Sequence, residues 1–250
     1  MKFPLAAIHN QRTFRPPQLF LSEIEIKQMS ENEWNDDSRN ELREALTRAI
    51  QGELRFARFD HQGILEYVRD VYMQDTCPDE EWQAFLDFAS EEIEEAASKF
   101  SAEMATWPQE TDCDRLDRVE NTLRERGILL WQASPCCDTC TSAELPDRAN
   151  LIDERYPGFR DVLRGYAFFI DQNIPDELSE GSNLHVYLAY GFVPTEDREL
   201  SPDENRAKTL AIAQEVCHCL QSEGFEIDWD GDLSRKIGLL INWQRRTPLQ

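Results

Sequence analysis

Long apolar runs are missing from this chain. No segment approaches the roughly 18–20 consecutive apolar residues that a membrane span needs, and the start, Met1 to Ile8, carries too short an apolar stretch to act as a secretory leader. Basic side chains are also scarce: 26 Lys and Arg stand against 49 Asp and Glu, a formal charge of −23 spread over both halves. Such a field repels phosphate backbones and anionic lipid, so no nucleic acid and no membrane are expected as partners, whereas a basic protein partner suits an acidic face. Histidine is rare, with four in 250 residues, and no His-based catalytic constellation is visible. A Gly-rich phosphate loop, H-E-x-x-H and G-x-S-x-G are all absent, which removes the patterned phosphate-loop, zincin and serine-hydrolase readings. The seven cysteines are odd in number and three crowd into five positions, unlike a secreted disulfide scaffold. A reducing, cytoplasmic compartment is the expectation.

What is present is enough apolar sequence for a sizeable core: 40% hydrophobic and 30% charged residues over 250 positions. Residues 1–37 form an N-terminal extension, in which Phe20, Ser22, Ile24 and Ile26 alternate as an edge strand does. Residues 38–110 read as helical. Ser38 to Glu41 resembles a capping box, Leu42, Leu46, Ala49 and Ile50 form a stripe, and Gly52 reads as its stop. Ile64 to Tyr72 marks a second helix. A third buries Trp82, Phe85, Ala89, Ile93, Ala96 and Phe100 and turns Glu91, Glu92, Glu94 and Glu95 to solvent. A fourth runs from about Asp114 to Gly127. Beyond it the period shortens. Strands at Ile128–Trp131, Tyr166–Ile170 and Leu184–Tyr190, helices at Thr141–Glu154 and from Ser201, and a Phe225–Trp243 hairpin turning at Asp230-Gly231 give the order β-α-β-β-α-β-β. The fold expected is α+β: a helical N-terminal half, then a ferredoxin-like sandwich with one added strand, spanning residues 111–250 and carrying the cysteine cluster.

Several pieces of this string occur together in order: Asp112-Cys113-Asp114-Arg115-Leu116, Gly127-Ile128, Cys136-Cys137-x-x-Cys140, Gly165-Tyr166-x-Phe168-Phe169 and Leu188-Ala189-Tyr190-Gly191. The combination resembles an uncharacterised bacterial domain-of-unknown-function family over about residues 38–246. The resemblance implies an intracellular bacterial protein and no activity. Thr141 stands where the family has Gly, and Ile170-Asp171-Gln172-Asn173 stands where it has a His-Gln-Asp run, so a histidine-dependent chemistry is not carried over.

The cluster Cys136-Cys137-Asp138-Thr139-Cys140 is the first candidate site. Ser134-Pro135 reads as N-cap and N1, which places Cys136 and Cys137 in a first helical turn, where backbone N–H groups favour a thiolate. Zinc is the cofactor such sulfurs would take, with Cys136, Cys137 and Cys140 joined by Cys113 and His185, although a second C-x-x-C is missing. The other readings are a redox or reactive thiol and small side chains packed at a tight turn. Cys217-His218-Cys219 fails as a ligand triplet, because positions two apart on a helix point about 200° apart. Asp228-x-Asp230-Gly231-Asp232 reads as a hairpin turn more simply than as a calcium loop, since Leu233 and Leu239 stand where an EF-hand has Gly and Glu, with a loosely held cation as the alternative. Asp112, Asp114 and Asp117 read as acids in the first turn of a helix, the alternative being an acid cluster clamped by Arg115. Asp171 and Gln172 end a strand where they would line a pocket. The expected function is a cytoplasmic binding or regulatory protein, of inhibitor or immunity type, with a structural cysteine or zinc turn. The alternative is a thiol-dependent redox enzyme or sensor using the Cys136–Cys140 cluster.

Overall fold

The computed structural model describes residues 34–135, 137–194 and 200–249; the candidate edge strand at Phe20–Ile26 and Cys136 lie outside them. Helix α1 (Asp36–Phe56) starts before the predicted capping box, because the Asn35 side chain accepts from the N–H groups of Asp37 and Ser38 while Asp36 and Asp37 meet the positive helix end. It also runs through Gly52. A Cβ there would sit 2.0 Å from the Pro175 carbonyl oxygen, so this glycine marks a close helix–helix approach and not a stop. The chain turns instead at Ala57, in the left-handed region at φ 59°. Helix α2 (His61–Val68), capped by Asp60, passes into a π-helical turn (Arg69–Met73), and α3 (Trp82–Met104) follows. Leu46 and Ile50, Ile64 and Val68, and Phe85 and Ile93 close one core between these helices. Glu91, Glu94 and Glu95 face solvent, as expected of a charged helix face.

Helix α4 (Asp112–Glu125) opens with a Thr111/Asp114 capping box and leads through Gly127, at φ 72°, into β1 (Ile128–Ser134). Then come α5 (Asp138–Arg155), the short α6 (Phe159–Val162), β2 (Gly165–Ile170), α7 (Ile174–Glu180), β3 (Asn183–Phe192), α8 (Pro202–Ser222), β4 (Ile227–Asp228) and β5 (Ile237–Asn242). The α+β class stands, with the helical half ahead of a mixed five-stranded sheet.

The strand order β1-β2-β3-β5-β4 differs from a split βαβ sandwich. Here β1 and β2 pair directly and in parallel, so no strand enters between them. The ten-residue β3 pairs along Ala189–Phe192 with β2 and along Asn183–Leu188 with β5, which places later strands on its far side. The 227–242 hairpin forms, with Asp230-Gly231 inside a loop longer than a two-residue turn. The second core lies between this sheet and α4 and α8: Leu116 and Leu123, Ile128 and Leu130, Val186 and Leu188, Val216 and Leu220. On the opposite sheet face α5 covers the β1–β2 end through Ala149, Leu129, Phe159 and Trp131. Thus β1 is an edge strand with one helix over each face.

Candidate functional site

The thiol turn begins later than the sequence suggests. Ser134 is the buried last residue of β1, its hydroxyl donating to the Phe169 carbonyl at 3.2 Å, so it does not cap the helix. Cys137 is the N-cap of α5 and Cys140 its third residue, and both are exposed. Thr141 is fully buried, and its single hydroxyl proton is shared between Ser134 Oγ (3.1 Å) and the Pro135 carbonyl (3.2 Å), sewing the first turn of α5 to the end of β1. Lys236 reaches Asp138 at 2.6 Å.

The other two proposed ligands lie elsewhere. Cys113 is buried in the α4 side of the core, and that burial pushes its thiol up to about 12. His185 lies exposed on the outer face of β3, its ring centroid 4.5 Å from that of Tyr187. Since Leu184 and Val186 point into the core that holds Cys113, the sheet separates Cys113 from His185. Among the described residues no three His, Cys, Asp or Glu side chains come together as a metal-holding group. Cys217 and Cys219 are both buried, because α8 is covered by the sheet on one side and by α4 on another. Burial raises both thiols.

Asp171 is buried. It belongs to a seam where the two halves meet: the Arg58 guanidinium donates to Asp171 Oδ2 at 2.6 Å and to both oxygens of Glu53, a carboxylate with no solvent exposure. Burial lifts Glu53 to about 7 against the pull of Arg58. Gln172 is exposed.

A cavity of about 340 Å³ lies at the free edge of β1, within the size range of small-molecule sites. Helix α4 offers it Asp117, Glu120, Asn121 and Arg124; α5 offers Arg148, Leu151, Ile152 and Arg155. Both sets repeat at i, i+3, i+4, i+7, so each is one helix face. Leu129 and Leu130 point to opposite faces of β1, and the C-terminal segment closes the cavity with Arg245 and Leu249.

Its floor is a polar network. Gln132 Nε2 donates to Asp117 Oδ1 (2.9 Å) and Glu120 Oε2 (2.7 Å). Arg245, 4% exposed, donates to both Asp117 oxygens (3.0 and 3.1 Å) and to Gln132 Oε1 (2.6 Å), while no acceptor reaches its buried Nε. At the mouth the Tyr156 ring lies 3.7 Å from the Arg124 guanidinium and 5.7 Å from that of Arg155. Arg148 stands 5.4 Å over Trp131. Burial raises the pKa of Glu120, with Gln132 and Arg148 opposing, and lowers that of Arg148, with Glu120 opposing. Four guanidiniums thus face two carboxylates, a local reversal of sign in a chain of net charge −23.

Sequence reasoning assigned Asp117 to the acids of the first helical turn; only Asp112 and Asp114 stay there, and Asp117 reaches the cavity floor. Glu120, Arg124, Gln132, Arg148, Arg155, Tyr156 and Arg245 were missed. Their one signal was the repeated polar stripe on α4 and α5, flanking a strand. No curated protein and no solved structure matches the chain. A family profile described as "Domain of unknown function (DUF6891)" matches residues 39–247, and the chain belongs to that family.

Proposed function

We propose that this is a binding protein whose recognition site is the arginine-lined cavity at the β1 edge, and that its ligand is a small organic anion. The observation that carries this reading is the excess of guanidinium over carboxylate around one concave, partly apolar space. Two residues whose pKa is shifted by burial, Glu120 and Arg148, line the same space, as they do at many working sites. The acidity of the rest of the surface is compatible with this. At physiological salt, charges more than about 8 Å away are largely screened, so the local guanidiniums set the field felt inside. The test is thermal unfolding at low ionic strength with a panel of small carboxylates and phosphates. A true ligand at 100 times its Kd adds about 2.7 kcal/mol of stability, and the Arg124→Ala/Arg155→Ala variant loses that gain. A panel without a stabilising member overturns the reading.

The exposed thiols of Cys137 and Cys140 support a second reading, a thiol-dependent redox sensor. Cys137 is the N-cap and Cys140 lies in the first turn of an 18-residue helix, whose positive end favours a thiolate. Alkylation rates against pH test it: a thiol titrating well below about 8.5 supports the reading, and ordinary values for both remove it. Native mass spectrometry of fresh protein tests zinc at the same turn.

A further inference from the structure

Resting on the cavity as the site, we infer that its ligand carries an N–H donor as well as an acid group, and that Glu120 receives the donor. The two carboxylates of the floor are not equivalent. Asp117 is neutralised: Arg245 holds both of its oxygens and Gln132 adds a third hydrogen bond. Glu120 lines the cavity with its Oε2 bonded by the neutral Gln132 amide; Arg148 acts on it through charge, and among the described residues no hydrogen bond is made to its Oε1. A plain anion pressed into this space would meet an acidic side chain at the floor; an amine or amino N–H would meet a hydrogen-bond acceptor.

The guanidiniums are arranged for the other end of such a molecule. Arg124 lies against Tyr156 at the mouth, where a half-buried guanidinium takes a carboxylate or phosphate in a forked pair. Leu151 and Ile152 lie one turn along α5, between Arg148 and Arg155, and supply an apolar wall for the body between the two ends. The ligand chemistry is therefore bipolar, acid outside and N–H inside. Two sources share it: an amino acid with an acidic side chain, and a nucleoside monophosphate with an amino-bearing base.

Two matched probe pairs test this by isothermal titration on the full chain: L-glutamate against glutarate, and AMP against ribose 5-phosphate. The donor-bearing member of one pair binds at least tenfold more tightly than its partner, and which pair does so identifies the source. Glu120→Gln keeps the shape and the Gln132 contact but replaces one acceptor oxygen with an amide. It brings the preferred probe to within about threefold of its donor-free partner, whose own affinity holds or rises. Equal affinities within both pairs, or a preference that survives Glu120→Gln, overturn the inference while leaving the anion site standing. Failure of all four probes to bind overturns both.

Discussion

The seam at Glu53–Arg58–Asp171 and the cavity at Asp117–Glu120–Arg245 are both built from arginine, carboxylate and burial, yet they have opposite outcomes. At the seam one guanidinium satisfies two acids, and aromatic rings close over it: Phe59 at 4.5 Å, Phe56 at 5.1 Å and Tyr67 at 5.3 Å. The cluster joins α1 to the end of β2. At the cavity the guanidiniums outnumber the acids, and the space between them is open. A closed network holds two halves together; an open one with surplus charge of one sign is suited to a ligand. Mutations at the two places should therefore separate stability from binding.

The largest effect is expected from Arg58→Ala. It leaves Glu53 and Asp171 buried without their cation, and breaking a buried pair in this way costs about 3–5 kcal/mol; urea unfolding at pH 7 measures it. Next is the pH dependence. The folded pKa of Glu53, about 7, lies above the ordinary carboxylate value of 4.5 from which burial raises it. The folded state therefore holds the proton more tightly, and its contribution is fully present below about pH 4.5 and is lost as pH rises through 7. The loss is about 3 kcal/mol at one unit per 1.36 kcal/mol. Subtracting unfolding free energies of Glu53→Gln from those of the wild type between pH 4.5 and 8 isolates that slope, and a pH-independent difference would show that Glu53 stays charged. Gly52→Ala follows, at about 1–3 kcal/mol, because its methyl would meet the Pro175 carbonyl oxygen at 2.0 Å and α1 and α7 must separate.

Most helices were legible because their apolar residues recur at 3.6-residue spacing within one segment: Leu42 to Ile50, Phe85 to Ala96, Leu116 to Leu123. Helix starts were less legible. At α1 the cap is Asn35, ahead of an equally plausible Ser38, and at α5 the buried Ser134–Thr141 hydroxyl pair keeps Ser134 in the strand. The sheet order escaped because β3 divides its length between β2 and β5, a tertiary choice that no local pattern encodes. The cavity escaped for a related reason. Its residues run from Asp117 to Leu249 and converge only once β1 takes the sheet edge with α4 and α5 over its two faces. Conversely, the cysteine string drew notice by proximity in sequence, and the fold sends Cys113 to the core and His185 to the outer face.

The smallest expected stability change is the most discriminating. Arg124 is half-buried at the mouth, hydrogen-bonded to Asn121 at 2.7 Å and stacked on an exposed Tyr156, and Arg155 is exposed. Arg124 meets the end of α5 only through the exposed Tyr156 ring. Arg124→Ala/Arg155→Ala should change unfolding free energy by no more than about 1 kcal/mol, the sum expected of two surface sites, while abolishing stabilisation by the anion that binds the wild type. The contrast with Arg58→Ala follows from burial: Arg155 is exposed and Arg124 half-buried, whereas the seam holds a carboxylate, Glu53, with no solvent exposure. A loss of several kcal/mol in the double variant would mean that the mouth is a second seam, and the difference between closed and open networks would fall.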